Sequence, residues 1–258
     1  MAYAVTVPLL AILQTKEDFF MFYNVVVNDW GETVETTYVP TTAGNVLLVA
    51  ILAILLVGAI LFAKKYAAKQ NAETDAAVKK NGNLTVKQLV FCAMSLALGT
   101  LLSEIKIIDF PWGGSATLLS MLVICLPGYL FGLGAGLMTG VAYGVLQLLV
   151  DPYVILPLQL VTDYLLAFGA LGLSGLFASS RNGLIKGYLV GIFGRYVFVV
   201  LSGCLFFAAY AWEGWPLLGY SLAYNGIYIF TEAAITLVVL AVPAVRRGIG
   251  SIKKMALS

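Results

Sequence analysis

Seven apolar runs, nearly free of charge, divide this chain, and no other feature constrains its fold as much. Asn45–Ala63, NVLLVAILAILLVGAILFA, is the plainest of them. A helix of roughly 20 residues rising 1.5 Å per residue crosses a hydrocarbon layer about 30 Å thick. Six more runs follow, at about Leu84–Ser103, Ala116–Phe131, Leu133–Val150, Leu158–Ala178, Leu184–Ala211 and Leu218–Ala244. Of 258 residues, 61% are hydrophobic and 11% charged, a balance outside the range of soluble globular domains. The runs predict an all-α polytopic membrane protein, in which a six-helix bundle over residues 84–247 is preceded by one extra transmembrane helix at 44–64.

The loop charges predict the orientation. Lys64, Lys65 and Lys69 follow the first run directly, and a polar linker over 65–83 adds Lys79 and Lys80. Counting turns from there, Lys87, Arg181, Lys186, Arg246, Arg247, Lys253 and Lys254 fall on the same side, and only Lys16 and Lys106 fall on the other, with Arg195 inside a run. Positive charge collects on the cytoplasmic side of membrane proteins. A multi-pass protein of the cell membrane is expected, with an acidic extracellular segment at 1–43 and a basic cytoplasmic tail at 248–258. The beginning of the sequence lacks the basic flank of a signal peptide.

Several functions are excluded by what the sequence lacks. It has no histidine, and Cys92, Cys125 and Cys204 each lie in an apolar run without metal-ligand spacing. Neither a metal site, a cofactor nor a nucleophile–base pair is expected, so the chain is not read as an enzyme. It carries no G-x-x-x-x-G-K-[ST] loop for nucleotide hydrolysis. Its basic residues form no single stripe, so nucleic acid is not an implied partner and membrane lipid is.

Within LPLQLVTDYLLAFGALGLSGL, Asp163 is a carboxylate in a segment otherwise suited to lipid. Charge inside a span is costly, and it marks a functional site by default; the alternative is an acid satisfied by neighbours such as Thr162. At the same depth of the outer half lie Gly203 and Phe207 of the next run, and Tyr220 and Asn225 of the last. An acid, an amide, a phenol and an aromatic face suit a small organic cation with hydrogen-bonding edges. Trp112, beside Gly113 and Gly114, is a candidate lid or stacking surface. Deeper, Arg195 and Glu232 are expected to pair as buried ions, or to relay charge. Gly132, Gly136, Gly140 and Gly144 mark a groove for a neighbouring helix. Ala93 and Ala97 make one small face of their run, Ser95, Gly99 and Ser103 another, one for the bundle and one for a partner.

Several motifs together resemble the thiamine-specific S components of energy-coupling factor transporters over about residues 84–247. They are Trp112-Gly-Gly-Ser115, Gln159-x-x-x-Asp163-Tyr164-x-x-Ala167-Phe168-Gly169, Arg195-Tyr196 with Gly203 beyond, and Tyr220-Ser-Leu-Ala-Tyr-Asn225-Gly226. The resemblance implies an S-component-like six-helix bundle that binds a thiamine-like molecule from outside. It also implies docking onto a module of one transmembrane coupling subunit and two ATPases. Carried over by motif, Asp163, Tyr164, Gly203, Phe207, Tyr220, Asn225 and Trp112 would contact the vitamin, and Ala93 and Ala97 the module. The family's carboxylate is normally glutamate, Phe207 replaces a stacking tryptophan and Val199 a histidine, and the first span lies outside the pattern. An S component for another vitamin and an ion-coupled transporter of a small organic cation are the rivals; the latter lacks an inverted repeat.

Overall fold

A computed structural model of the chain describes residues 84–258 apart from 155, 213 and 214, together with residues 43 and 50 and two amino-terminal strands. The expected first span at 44–64 and the linker at 65–83 otherwise lie outside the described residues, as does Glu213. The chain forms two compact units. In one, strands β1 (Tyr23–Asp29) and β2 (Val34–Pro40) pair antiparallel, Tyr23 opposite Pro40 and Asp29 opposite Val34. Phe207–Tyr210 belongs to that unit, and its short 3-10 turn, Ala208–Tyr210, packs on β2.

The other unit contains helices α1 (Val86–Ser103), α2 (Ser120–Phe131), α3 (Leu133–Val150), α4 (Pro157–Phe177), α5 (Gly183–Phe206), α6 (Leu217–Ala241) and α7 (Pro243–Leu257). Strands β3 (Lys106–Asp109) and β4 (Ser115–Thr117) form a hairpin between α1 and α2. Among the described residues, α1, α3, α4, α5 and α6 are long and apolar enough to cross a membrane, and α2 is a shorter apolar helix. The fold is an all-α polytopic membrane bundle.

Three boundaries differ from those expected, each for a local reason. The third run becomes helical only at Ser120, because Ser115–Thr117 pairs with β3 and Leu119 takes a φ of 60°. The α5 helix stops at Phe206 instead of continuing to Ala211. The last run breaks at Val242, which is extended (ψ 120°), since the residue before a proline is pushed out of the helical region. Pro243 then opens α7, so the basic tail is helical. Ile249 and Ala256 of α7 are buried, and Lys253 Nζ donates to the carbonyls of Ala178 (2.6 Å) and Tyr129 (3.3 Å). Burial pushes the Lys253 pKa below its ordinary value.

Helix α1 begins with a capping box. Thr85 Oγ1 accepts from the Gln88 amide (3.2 Å), and Gln88 Oε1 accepts from the Thr85 amide (2.9 Å). Its two small faces separate: Ser95 and Gly99 are buried, whereas Ala93 and Ala97 are exposed. The core is organised on α4, which packs against α2, α3 and α5. The glycines of α3 make that possible. A Cβ at Gly144 would run into the Tyr164 carbonyl, one at Gly140 into the Phe168 carbonyl, and one at Gly136 into Gly172 of α4. The expected groove is therefore filled by backbone.

Replacing Gly144 by leucine should cost at least ~1–3 kcal/mol by overpacking. Gly134 lies on the same helix with nothing near its Cβ position, so Gly134→Leu should be tolerated. Thermal unfolding of both variants in detergent checks this; equal stability would show that the α3–α4 contact is not tight.

Candidate functional site

A cavity of about 640 Å³ lies at the hairpin end of the bundle. Its walls come from every helix of the bundle except α7: Ser103 of α1, Met121 of α2, Tyr143 and Gln147 of α3, Tyr164 and Phe168 of α4, Arg195 of α5, and Tyr224, Tyr228 and Glu232 of α6. The β3–β4 hairpin and the 151–156 connection complete it with Glu104, Asp109, Ser115, Thr117 and Asp151. With Lys106 beside Asp109 (3.9 Å), the rim carries three acids and one base, and the interior is rich in tyrosine.

Spacing on α6 produces the tyrosine wall. Tyr220, Tyr224, Tyr228 and Glu232 are four residues apart and share one helical face. Ring centroids are 5.6 Å apart for Tyr220 and Tyr224, and 5.8 Å for Tyr224 and Tyr228. The row continues outward through Trp212, 5.2 Å from Tyr220, to Trp112 at 5.9 Å and Phe110 at 5.7 Å beyond it. These are aromatic-pair distances, and the faces they offer attract cations and flat rings.

The hairpin reaches this row through its glycines. Gly113 and Gly114 have φ of 95° and 74°, which a side chain would strain. A Cβ at Gly113 would also crowd the Tyr224 hydroxyl and one at Gly114 the Tyr228 ring. The Trp112-Gly-Gly sequence therefore lets the loop turn while lying against α6.

In α4, Val161–Leu166 is a π-helical turn carrying both Asp163 and Tyr164. Such bulges often occur at functional positions. Gln159 holds the acid, with Nε2 donating to Asp163 Oδ2 (3.1 Å) and to the Tyr153 carbonyl (2.8 Å). Thr162, the neighbour weighed as an alternative partner, instead donates to the Gln159 carbonyl (2.9 Å). Tyr164 lines the cavity; its hydroxyl accepts from the Tyr153 amide (2.8 Å) and donates to the Asp151 carbonyl (3.2 Å).

Gly203 and Asn225 meet where α5 crosses α6. A Cβ at Gly203 would meet Ser221 and come within 3.2 Å of Asn225 Nδ2. Asn225 donates to the Ser221 carbonyl (2.9 Å), and its Oδ1 accepts from the Tyr228 hydroxyl (2.9 Å). Asn225 thereby orients a cavity-lining ring. Phe207 belongs to the other compact unit, where its ring lies 6.0 Å from Tyr210.

The expected Arg195–Glu232 ion pair is absent. Glu232 Oε2 accepts from the Thr117 amide (3.0 Å) and hydroxyl (2.6 Å), and Oε1 from the Met121 amide (3.0 Å) and Ser120 hydroxyl (3.3 Å). Four donors already surround the carboxylate, so a guanidinium is not needed to compensate it. Arg195 instead lies over the Phe168 ring, 4.3 Å from its centroid. Both residues line the cavity.

Of the residues expected to contact the ligand, Tyr164 alone lines this cavity directly, joined there by Arg195 and Glu232, which were expected to pair as ions. Asp163 is the neighbour of Tyr164 in the π turn, Asn225 acts on the cavity through Tyr228, and Tyr220 and Trp112 stand in the ring row leading to it. Tyr143, Gln147, Phe168, Tyr224 and Tyr228 were missed. The four-residue spacing of 143/147, 164/168 and 220/224/228/232 was the available signal.

The family described as thiamine transporter protein (Thia_YuaJ) matches residues 89–249. A thiamine transporter, ThiT, of Bacillus subtilis (strain 168) is 31% identical over 176 residues, covering 62% of this chain and 91% of the relative. Another ThiT, from Lacticaseibacillus paracasei, is 30% identical over 128 residues, which is 43% of this chain and 64% of that one. The solved structure of ThiT from Listeria monocytogenes shares the fold, with a TM-score of 0.56 at 23% identity over 66% of this chain and 97% of the other. The β1–β2 strands precede the matched residues. Over its membrane bundle the chain belongs to the thiamine transporter protein family.

Proposed function

We propose that this protein is the substrate-binding subunit of an energy-coupling factor importer, taking thiamine or a thiamine-related compound from the extracellular side. The observation that carries the reading is the acid-rimmed, tyrosine-walled cavity in a chain of this family. The relatives are named thiamine transporters. Thiamine is a cation bearing two flat rings, which an aromatic row and nearby carboxylates complement. In this reading Asp163 offsets the ligand's charge, Tyr164, Tyr220 and Asn225 order the hydrogen-bonding wall, Gly203 keeps α5 and α6 close, and Trp112 supplies a stacking face.

The bundle at 84–247 binds and an external module supplies energy, through a coupling subunit and two ATPases. Ala93 and Ala97, exposed on α1, are the proposed docking face, since small residues let a partner helix approach. The hairpin end faces outward and α7 the cytoplasm, with the amino terminus outside. The segments at 1–43, 44–64 and 65–83 are an outer extension, an added anchor and a linker.

Purified protein should bind thiamine with neither nucleotide nor ion gradient, read as tryptophan fluorescence quenching in detergent. Mass spectrometry of small molecules released on denaturation should find a thiamine-like compound. Binding that requires a sodium or proton gradient would overturn the reading in favour of an ion-coupled carrier. Asp163→Asn should weaken binding by ~10-fold or more, because charge-assisted hydrogen bonds are worth about 1.5–3 kcal/mol; unchanged affinity would make Asp163 structural. Replacing Ala93 and Ala97 together by tryptophan should leave affinity near normal yet abolish uptake and co-purification with the ATPases. Persistent assembly would remove that face from consideration.

A further inference from the structure

We propose that Glu232 is the positioning residue for the Trp112 loop: it pins the base of the β3–β4 hairpin to α6 and so fixes one wall of the cavity. Each oxygen of its carboxylate accepts from one backbone amide and meets one hydroxyl. Oε2 takes both groups of Thr117, at the end of β4, and Oε1 takes the Met121 amide and the Ser120 hydroxyl, at the start of α2. Helix α2 has no cap of its own, because Leu119 stands at its N-cap position in the left-handed region and offers no side-chain acceptor. The first amides of a helix need partners and carry the positive end of its dipole, so a carboxylate from α6 binds there with favourable charge.

The loop touches α6 at a second place, through Gly113 at the Tyr224 hydroxyl and Gly114 at the Tyr228 ring. Those contacts are van der Waals packing, individually weak, whereas the Glu232 contacts are charge-assisted. The hairpin's own ties join its base to itself, as in Leu118 N donating to the Ile105 carbonyl (3.0 Å). Glu232 fastens the base of the hairpin to α6, whereas the Ile105 amide ties it to α1 by donating to the Leu102 carbonyl (3.2 Å). Glu232 lies one helical turn below Tyr228 on the same face of α6, so ring row and loop anchor share one rigid support.

This inference deepens the proposed function and relies on it only for the binding readout. Trypsin cleavage after Lys106, an exposed residue of β3, reports loop release in the full-length protein in detergent without any ligand. Cuts after Arg181 and Lys186, at the other end of the bundle, serve as internal controls. Glu232→Gln keeps the shape but turns an amide NH2 toward one backbone N–H and one hydroxyl. The expected result is cleavage after Lys106 at least ~10-fold faster than in the unaltered protein, with control cuts unchanged and thiamine dissociating at least ~10-fold faster. Thr117→Val removes only one hydroxyl and should move both readouts in the same direction by about 3-fold; its effect should be lost in the Glu232→Gln background.

Unchanged cleavage after Lys106 in both variants overturns the proposal, as does a uniform rise of all cuts, which would mean general unfolding. Weaker thiamine binding with an unchanged loop would also overturn it, making Glu232 a direct ligand contact. If Glu232→Gln does not fold, Thr117→Val decides alone by the same two outcomes. Should the unaltered protein fail to bind thiamine, the proposed function falls, while the cleavage comparison still tests the pin.

Discussion

Hydrocarbon offers no hydrogen bonds, so every backbone amide and carbonyl within a span must find its partner inside the protein. The irregular parts of this fold follow from that requirement. Helix α2, the shortest of the bundle helices, is closed at both ends by charged side chains from other elements. Glu232 of α6 receives the Met121 amide at its start, and Lys253 of α7 donates to the Tyr129 carbonyl near its end. Both charges have the sign that complements the helix dipole. The same lysine reaches the Ala178 carbonyl just past α4, so α7 closes two helix ends at once. Two residues separate in sequence thereby make a short helix tenable in the core.

Backbone proximity is the second determinant. With Gly136, Gly140 and Gly144 turned toward α4, the two helices approach closely enough that no Cβ fits between them. Helix α4 becomes the central element, touching α2, α3 and α5. A helix held on several sides can tolerate a local departure from regular pitch. The π turn at Val161–Leu166 is such a departure, and it carries Asp163 and Tyr164 on the helix that is best supported.

Most of the membrane architecture was legible in the sequence, because uncharged runs and glycine spacing depend on local chemistry. The helix boundaries at Ser120 and Val242 were less so. The first needs the β3–β4 pairing to be known, and the second is visible only if the backbone preference before Pro243 is given more weight than the apolar run around it. The site was legible in part. Asp163 stood out by its charge, and Asn225 and Gly203 by motif, yet the tyrosines that line the cavity, with Gln147 and Phe168, are unremarkable as composition. Their four-residue spacing was present but competes with ordinary helical packing. The Arg195–Glu232 pair failed for a different reason: opposite charges at similar depth suggest pairing, while a sequence does not reveal a rival set of donors such as Thr117 and Met121.

Helix α1 is where the cavity and the exterior of the bundle meet on one element. Ser103 at its end lines the cavity and accepts from Gln147 Nε2 (2.9 Å), and Gly99 below it is buried where a Cβ would strike Ile124. Ala93 and Ala97 emerge on the opposite side, because positions two residues apart on a helix point about 200° from each other. The inward face is fixed by contacts that a partner on the outward face would never touch. A partner at the proposed docking face would therefore cover Ala93 and Ala97 without repacking the cavity.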